Sequence, residues 1–430
     1  MVTIMGTGMD ESAVRRLRPD RARHYGIMPR RSVTQWSIRV LLAIVAACIG
    51  AISVTNSVAE IIKNRDPERA LALAPGNARI SAKLASKYLA DGTADSQRKA
   101  AELARSALQR DPTTVEAVAV LGLQAQAGHK PGVAKRLFAY SQRLSRRDLQ
   151  TQIWAIEDAV ARGDIPEVLH HYDIALRTSK VAPDLLFPIL ADALAEPLVR
   201  GRLISLLHDR TPWGAYFVSY LSGSGRSRVA TARFLTELKR ANVDVPAGAV
   251  SVVVNGLLAD KSFDEGWHLY ATFHSGANRR QSRDPWFAGD VVTPSAFDWT
   301  PVNDGVVSTS IQRDGRRGLF EYVTPPGVGG KVLTQVQVLP AGRYRLSSRT
   351  SEGMQSSQAS PYWTLTCSDE REVARIIASD VATDGRLAVS EAFEVPPGCP
   401  FQTLALIVPA SDEMAGRTGR IGAARINPVN

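Results

Sequence analysis

Between Arg39 and Glu60 lie twenty residues without a charged side chain, Val40 to Ala59 (VLLAIVAACIGAISVTNSVA). In a helix such a run extends roughly 30 Å, the thickness of a bilayer's hydrocarbon core. The pattern predicts one transmembrane helix over residues 36–62, with Trp36 as an interfacial anchor. The flanks orient it. Arg15, Arg16, Arg18, Arg21, Arg23, Arg30, Arg31 and Arg39 stand against Asp10, Glu11 and Asp20, a net of +5 over the first 39 residues. On the far flank Lys63, Arg65 and Arg69 are cancelled by Glu60, Asp66 and Glu68. The positive-inside rule therefore predicts that residues 1–35 form a cytoplasmic tail and that the bulk of the chain lies across the membrane. Ser57-Val58-Ala59 also has the small-x-small form of a signal-peptidase site, although the long leader and long apolar core weigh against cleavage. A buried helix of a soluble protein is the third reading.

The remaining sequence is long enough for two or three domains, within 430 residues. The formal charge of +10 would suggest a nucleic-acid partner, but half of it belongs to the leader, so none is expected. Of three cysteines, Cys48 falls inside the apolar run. Cys367 and Cys399 are left together in the last part of the chain. In an oxidising compartment they would tend to pair, the alternative being two buried thiols.

Residues 1–35 are rich in Arg, Gly and Pro and predict a disordered tail, with room for a short helix at Glu11 to Leu17. After the apolar run, Gly92, Gly128 and Gly163 recur at steps of 36 and 35, each closing an apolar-periodic helix, and Pro75 and Pro112 open successive units. Ala100, Ala104, Ala107, Ala117 and Ala134 would let paired helices approach, with Leu103, Leu108, Leu121 and Leu144 filling between units. Hairpins of this kind bury their apolar faces only by stacking. The pattern resembles the tetratricopeptide family over residues 66–180, with degenerate units to about 275, although most of that family's large aromatics are missing. An α-solenoid is thus expected over residues 63–274. Its later helices are Leu185 to Leu194, Leu198 to Leu207, Trp213 to Leu221, Val229 to Ala241, Gly248 to Leu258 and Phe263 to Phe273. Trp213, Tyr216, Phe217 and Tyr220 make a stripe better explained as core than as a ligand shelf.

The texture changes near Ser275, where the stretch His274 to Pro285 (HSGANRRQSRDP) predicts a polar linker over residues 275–285. Beyond it, apolar residues alternate with period two and turn signals such as Asp314-Gly315 and Asp384-Gly385 recur. Strands are predicted at Val306 to Gln312, Leu319 to Thr324, Val332 to Leu339, Tyr344 to Thr350, Tyr362 to Thr366, Val373 to Ile377, Arg386 to Phe393, Gln402 to Val408 and Gly419 to Ile426. That density without helices predicts a β-sandwich of jelly-roll type over residues 286–430. The fold class is therefore multidomain, helical and then all-β.

Motifs of catalysis are missing from the sequence. No HExxH, nucleophile elbow, phosphate loop or dinucleotide fingerprint is present, so no catalytic residue, metal or cofactor is assigned. His170-His171 diverge on a helix, and Gly327-Val328-Gly329-Gly330 follows two prolines and reads as a turn. Asp298, Glu321, Asp369 and Glu370 remain available as a carboxylate pair, whose spacing only a structure can show.

More specific are Phe297-Asp298-Trp299, the run Leu339-Pro340-Ala341-Gly342-Arg343-Tyr344-Arg345-Leu346, and Trp363 to Cys367 answered by Val395 to Pro400. Over residues 286–427 these resemble the C-terminal domain of membrane-anchored, tetratricopeptide-like proteins of bacterial exopolysaccharide clusters. The resemblance implies a jelly roll similar to carbohydrate-binding modules and supports a Cys367 to Cys399 disulfide. It also implies a Gram-negative inner membrane, spanned once by residues 40–59, with the bulk in the periplasm. Sugars are held by aromatic faces and by hydrogen-bonding side chains. Trp299, Tyr322, Trp363, Gln335, Gln337, Arg345 and Arg349 have that chemistry, with Gln335 and Gln337 on one strand face and Arg345 and Arg349 on another. The competing reading makes the tryptophans core and the polar pairs solvated. The expected role is a non-catalytic scaffold for polysaccharide assembly or export, docking synthesis or export subunits on the solenoid and glycan on the sandwich. Its rivals are a pure protein scaffold for envelope biogenesis or division, and a polysaccharide-modifying enzyme.

Overall fold

The computed structural model describes residues 33–289, 292–350, 360–378, 389–412 and 414–429. The tail up to residue 32, the helix expected at Glu11 to Leu17 and the Asp384-Gly385 turn lie outside the described residues. The chain divides between Val120 and Leu121 into two compact units.

The first unit opens with α1, Val33–Ile62, a thirty-residue helix that begins three residues before the expected 36. It is long and apolar enough to cross a membrane, and its apolar side chains, Leu41, Leu42, Ile49 and Ile52 among them, are exposed. Its C-terminal end packs on the helices that follow. Ala59 is fully buried against Ala70 of α2 (Pro67–Leu73), Ala74, which caps that helix, and Ile80 of α3 (Ala78–Asp91). Glu60 is ion-paired with Lys63 and accepts from the Asn77 side chain at 3.1 Å. Asn77 in turn caps α3 by accepting from the amides of Arg79 and Ile80. Gly92 ends α3 with φ 73°, a left-handed conformation that glycine adopts without the strain a Cβ brings. α4 (Ala94–Arg110) then returns, capped by Thr93, and α5 (Val115–Ala127) follows.

In the second unit α6 (Pro131–Leu144), α7 (Leu149–Ala161) and α8 (Ile165–Thr178) continue the helical run. They lead to α9 (Ala182–Ala193), α10 (Pro197–His208) and α11 (Gly214–Gly223). The last three are α12 (Arg228–Arg240), α13 (Ala247–Ala259) and α14 (Phe263–Phe273). All six later helices expected from periodicity are present. The glycine punctuation holds: Gly163 (φ 70°) follows α7, and Gly128 directly follows α5, where the left-handed residue is the next one, His129, at φ 54°. The five alanines expected at close approaches are fully buried. The four leucines expected between units are only half-buried. Phe187 gathers Trp213, Tyr216, Phe217 and Tyr220 at 5.1 to 6.3 Å between ring centres, so that stripe is core apart from the exposed Tyr216.

Among the described residues, two antiparallel five-stranded sheets form the sandwich. The first contains, in order, β1 (Thr300–Pro301), β4 (Gly330–Gln337), β9 (Gln402–Val408), β6 (Tyr362–Cys367) and β7 (Glu372–Ile377). The second runs β2 (Ser308–Asp314), β3 (Arg317–Thr324), β10 (Arg417–Pro428), β5 (Gly342–Thr350) and β8 (Val389–Val395). The expected strands are found among the described residues, the start of the one expected at Arg386 to Phe393 lying outside them, because alternation is what a sheet with one buried face imposes. Phe320, Tyr322, Tyr344, Leu346, Trp363, Leu404 and Ile426 fill the space between the sheets. The disulfide Cys367 to Cys399 joins the end of β6 to the segment before β9.

The segment expected as a linker is built into this unit. A bulge between Ile421 and Ala423 lets β10 pair with β3 by its first half and with β5 by its second. The open side of that second half is taken by residues 282–285. Ser282 N–H donates to the Ile426 carbonyl at 3.2 Å, and Ala424 N–H donates to that of Pro285 at 3.0 Å. Val338 and Phe297 belong to the same apolar core as α7 to α14, so helices and sandwich share buried surface within the unit.

Candidate functional site

Where α14 meets the sandwich, Arg283 is buried with only 7 % of its surface exposed. Its Nε donates to the Phe297 carbonyl at 2.7 Å, one Nη donates to Val336, and the other reaches Gln337 Oε1 at 3.4 Å. The guanidinium lies 5.2 to 5.8 Å from the ring centres of Phe297, Trp267 and Tyr270. Burial pushes its pKa down to about 10, so it is still charged at neutral pH. Tyr270 donates its hydroxyl to Asp298, which also accepts from the amide and hydroxyl of Ser295 at 2.9 and 2.8 Å.

A cavity of about 640 Å³ opens beside this cluster, within the second unit. Tyr270 and His274, stacked at 3.9 Å, line one side. Asp284, Asp298 and Trp299 line another, with Arg313, Arg425 and Asn427 completing it. Asp284 sits at φ 43° and accepts from the amides of Ala288 and Gly289 at 2.8 and 3.0 Å. Burial raises its carboxyl pKa against the pull of those two amides. The mixture of charge, amide and aromatic edge suits a polar ligand. Among the described residues no three His, Cys, Asp or Glu side chains converge as a metal-holding group.

The residues proposed from sequence as sugar ligands divide sharply. Tyr322, Gln335, Gln337 and Trp363 are at most 2 % exposed and Trp299 is 5 % exposed, so their faces cannot serve as stacking platforms. Gln335 and Gln337 do share a strand face, but it is a buried one. Gln337 donates to Gln335 at 2.6 Å, and Gln335 donates to the Arg283 carbonyl at 3.1 Å, which makes the pair a support for the buried arginine. Trp299 donates its indole N–H to the Asp284 carbonyl at 2.9 Å and still borders the cavity. Trp363 packs on Trp299, ring centres 5.9 Å apart. Tyr322 occupies the space that a side chain at Gly419 would need. These five are corrected to structural roles: Trp299, Tyr322 and Trp363 belong to the core between the sheets, and Gln335 and Gln337 are buried against Arg283, and alternation alone does not report which face is the buried one.

Arg345 and Arg349 lie on the outer face of β5, the first exposed and the second half-buried. Arg349 stands 5.5 Å from the ring centre of Trp286, a residue that sequence reasoning passed over at the edge of the polar stretch. Of the carboxylates weighed as a catalytic pair, Asp298 is committed to Tyr270 and Ser295, and Glu321 is ion-paired with Arg420 at 2.7 Å. Asp369 and Glu370 lie exposed in the turn between β6 and β7. Arg283 and Asp284 also escaped notice, since nothing in the run NRRQSRDP distinguishes an arginine that will be buried.

No protein-family model matches the chain, and no curated protein matches it. Solved structures similar to it include the enzymatically active domain of tailspike protein 4 of bacteriophage CBA120, with 14 % identity and a TM-score of 0.22. That match covers 31 % of this chain and 19 % of the tailspike chain. Another is the CBM22-1 xylan-binding domain of Paenibacillus barcinonensis Xyn10C, with 14 % identity and a TM-score of 0.24, covering 36 % of this chain and 96 % of that one.

Proposed function

We propose that this chain is a non-catalytic, membrane-anchored scaffold for assembling or exporting an extracellular polysaccharide, with glycan held by its β-sandwich region. The observation that carries the glycan reading is the 640 Å³ cavity, edged by Trp299 and lined by arginine, asparagine and carboxylate groups. Both of its carboxylates are held by protein donors, which favours recognition over acid-base chemistry. In this reading α1 is a retained single-pass anchor with its N-terminus in the cytoplasm. Ala59, the last residue of the small-x-small site, is buried under α2 and α3, and such burial opposes cleavage there. The disulfide suits an oxidising compartment such as the periplasm. The helical region is then a tetratricopeptide-like solenoid and the sandwich a jelly roll. Exposed Leu185, Ile189, Leu198 and Tyr216 are available to a protein partner, such as a synthesis or export subunit.

The full-length protein in phosphatidylcholine nanodiscs tests this reading by affinity electrophoresis through neutral and acidic polysaccharides. Retardation by at least one is expected. No retardation by any, with the fold intact, would leave a pure protein scaffold. Capture from solubilised membranes is expected to recover a glycosyltransferase or export subunit.

A further inference from the structure

On the outer face of the second sheet, three arginines from three adjacent strands converge on one indole. The guanidinium carbons of Arg317 (β3), Arg425 (β10) and Arg349 (β5) lie 5.4, 5.7 and 5.5 Å from the centre of the Trp286 ring. The pleat dictates this side: Phe320, Leu346, Ala424 and Ile426 point into the core, so their neighbours point out. Trp286 is fixed in place. Its carbonyl accepts from Gly318 N–H at 2.7 Å, and a Cβ on Gly318 would lie 2.1 Å from the Phe287 carbonyl oxygen, so only glycine allows the approach.

Among the described residues none of the three guanidiniums pairs with a carboxylate, and Arg349 Nε is buried without a hydrogen-bond partner. An aromatic face attracts their charge but accepts little of their hydrogen bonding. Three like charges are thus held together among the described residues with no protein carboxylate to offset them, and one of their N–H groups, on the half-buried Arg349, has no acceptor. What completes such a cluster is an anion with several acceptor oxygens, and a carboxylate matches the guanidinium fork in two parallel bonds. Arg425 belongs both to this cluster and to the lining of the cavity. An anion on the cluster therefore places whatever is attached to it next to Asn427, whose side-chain amide suits sugar hydroxyls.

We propose that Arg317, Arg349 and Arg425, gathered around Trp286, form a carboxylate subsite for an acidic polysaccharide. The proposal rests on the glycan reading above and specifies its ligand as a uronate-bearing or similarly acidic polymer. An acidic peptide or an anionic lipid surface would offer the same charge without hydroxyls for the cavity.

Full-length protein in phosphatidylcholine nanodiscs is titrated with polygalacturonate, neutral dextran and polyglutamate, and its co-sedimentation with phosphatidylglycerol vesicles is measured. Polygalacturonate is expected to bind best. Arg317→Gln and Arg425→Gln, both at exposed positions, are expected to weaken it by about tenfold each, the loss of a charge-assisted hydrogen bond. Arg425→Lys is expected to recover only part of that affinity, because an ammonium cannot form the fork. Unchanged polygalacturonate affinity in both Gln variants, or equal binding of polyglutamate or anionic vesicles, overturns the subsite. If dextran binding persists meanwhile, the glycan reading survives. If no polysaccharide binds, both fall.

Discussion

The Tyr270 hydroxyl donates to the Asp298 carboxylate at 2.7 Å, tying α14 to the turn that opens the sandwich. Replacing Tyr270 by Phe removes one of three donors from a buried carboxylate while leaving the ring in place. A loss of about 1 to 3 kcal/mol is expected, read as a lowered urea midpoint. Burial and the neighbouring Asp298 hold the phenol's pKa far above the ordinary value. Above about pH 10 the unfolded chain ionises and the folded one does not, so stability falls with rising pH. Tyr270→Phe should flatten that alkaline slope, and an identical slope in both proteins would count against this role.

Arg283 fills a space where two carbonyls and Gln337 need donors. Arg283→Met should cost about 3 kcal/mol or more, because buried acceptors are left unpaired. Arg283→Lys should not restore it, since one ammonium cannot span the Phe297 and Val336 carbonyls as the fork does. Thermal unfolding of the three proteins distinguishes this from a simple need for charge, in which Lys would recover most of the loss.

The disulfide closes a long loop, its cysteines 32 positions apart. Constraint of the unfolded chain by a loop of that size is worth roughly 3 to 4 kcal/mol. The double variant Cys367→Ser, Cys399→Ser should lower the melting temperature, and dithiothreitol should lower that of the native protein to match. Dithiothreitol leaving the native melting temperature untouched would contradict the expectation.

His171 is buried in α8 with Nδ1 2.8 Å from Gln152 Oε1. Burial, then the neighbouring His170, lowers its pKa. Both states are neutral well above the ordinary histidine value. As pH falls through about 6.5 the unfolded chain takes a proton that the folded one resists, and stability drops. His171→Gln should weaken this acid-side loss, measured as the difference in urea midpoint between pH 8 and pH 5.5.

Repetition and alternation made the elements legible. The apolar run of α1, the later helices and, among the described residues, the strands expected from period two are where the pattern places them, because burial on one face writes a local signature into the chain. The Cys367 to Cys399 pairing was also within reach, with two cysteines left in one domain.

What the chain order could not convey is which faces become covered. Gln335 and Gln337 were correctly assigned to one face, yet that face is buried and they brace Arg283. The run NRRQSRDP reads as solvent-loving, yet the bulge in β10 opens an edge for residues 282–285 and draws Arg283 inside. The cluster around Trp286 takes one arginine from each of three strands and an indole from outside them. Hydrophobic periodicity is a local property and determined the elements. Burial and convergence depend on contacts between residues up to about 140 positions apart, and those only the tertiary structure decided.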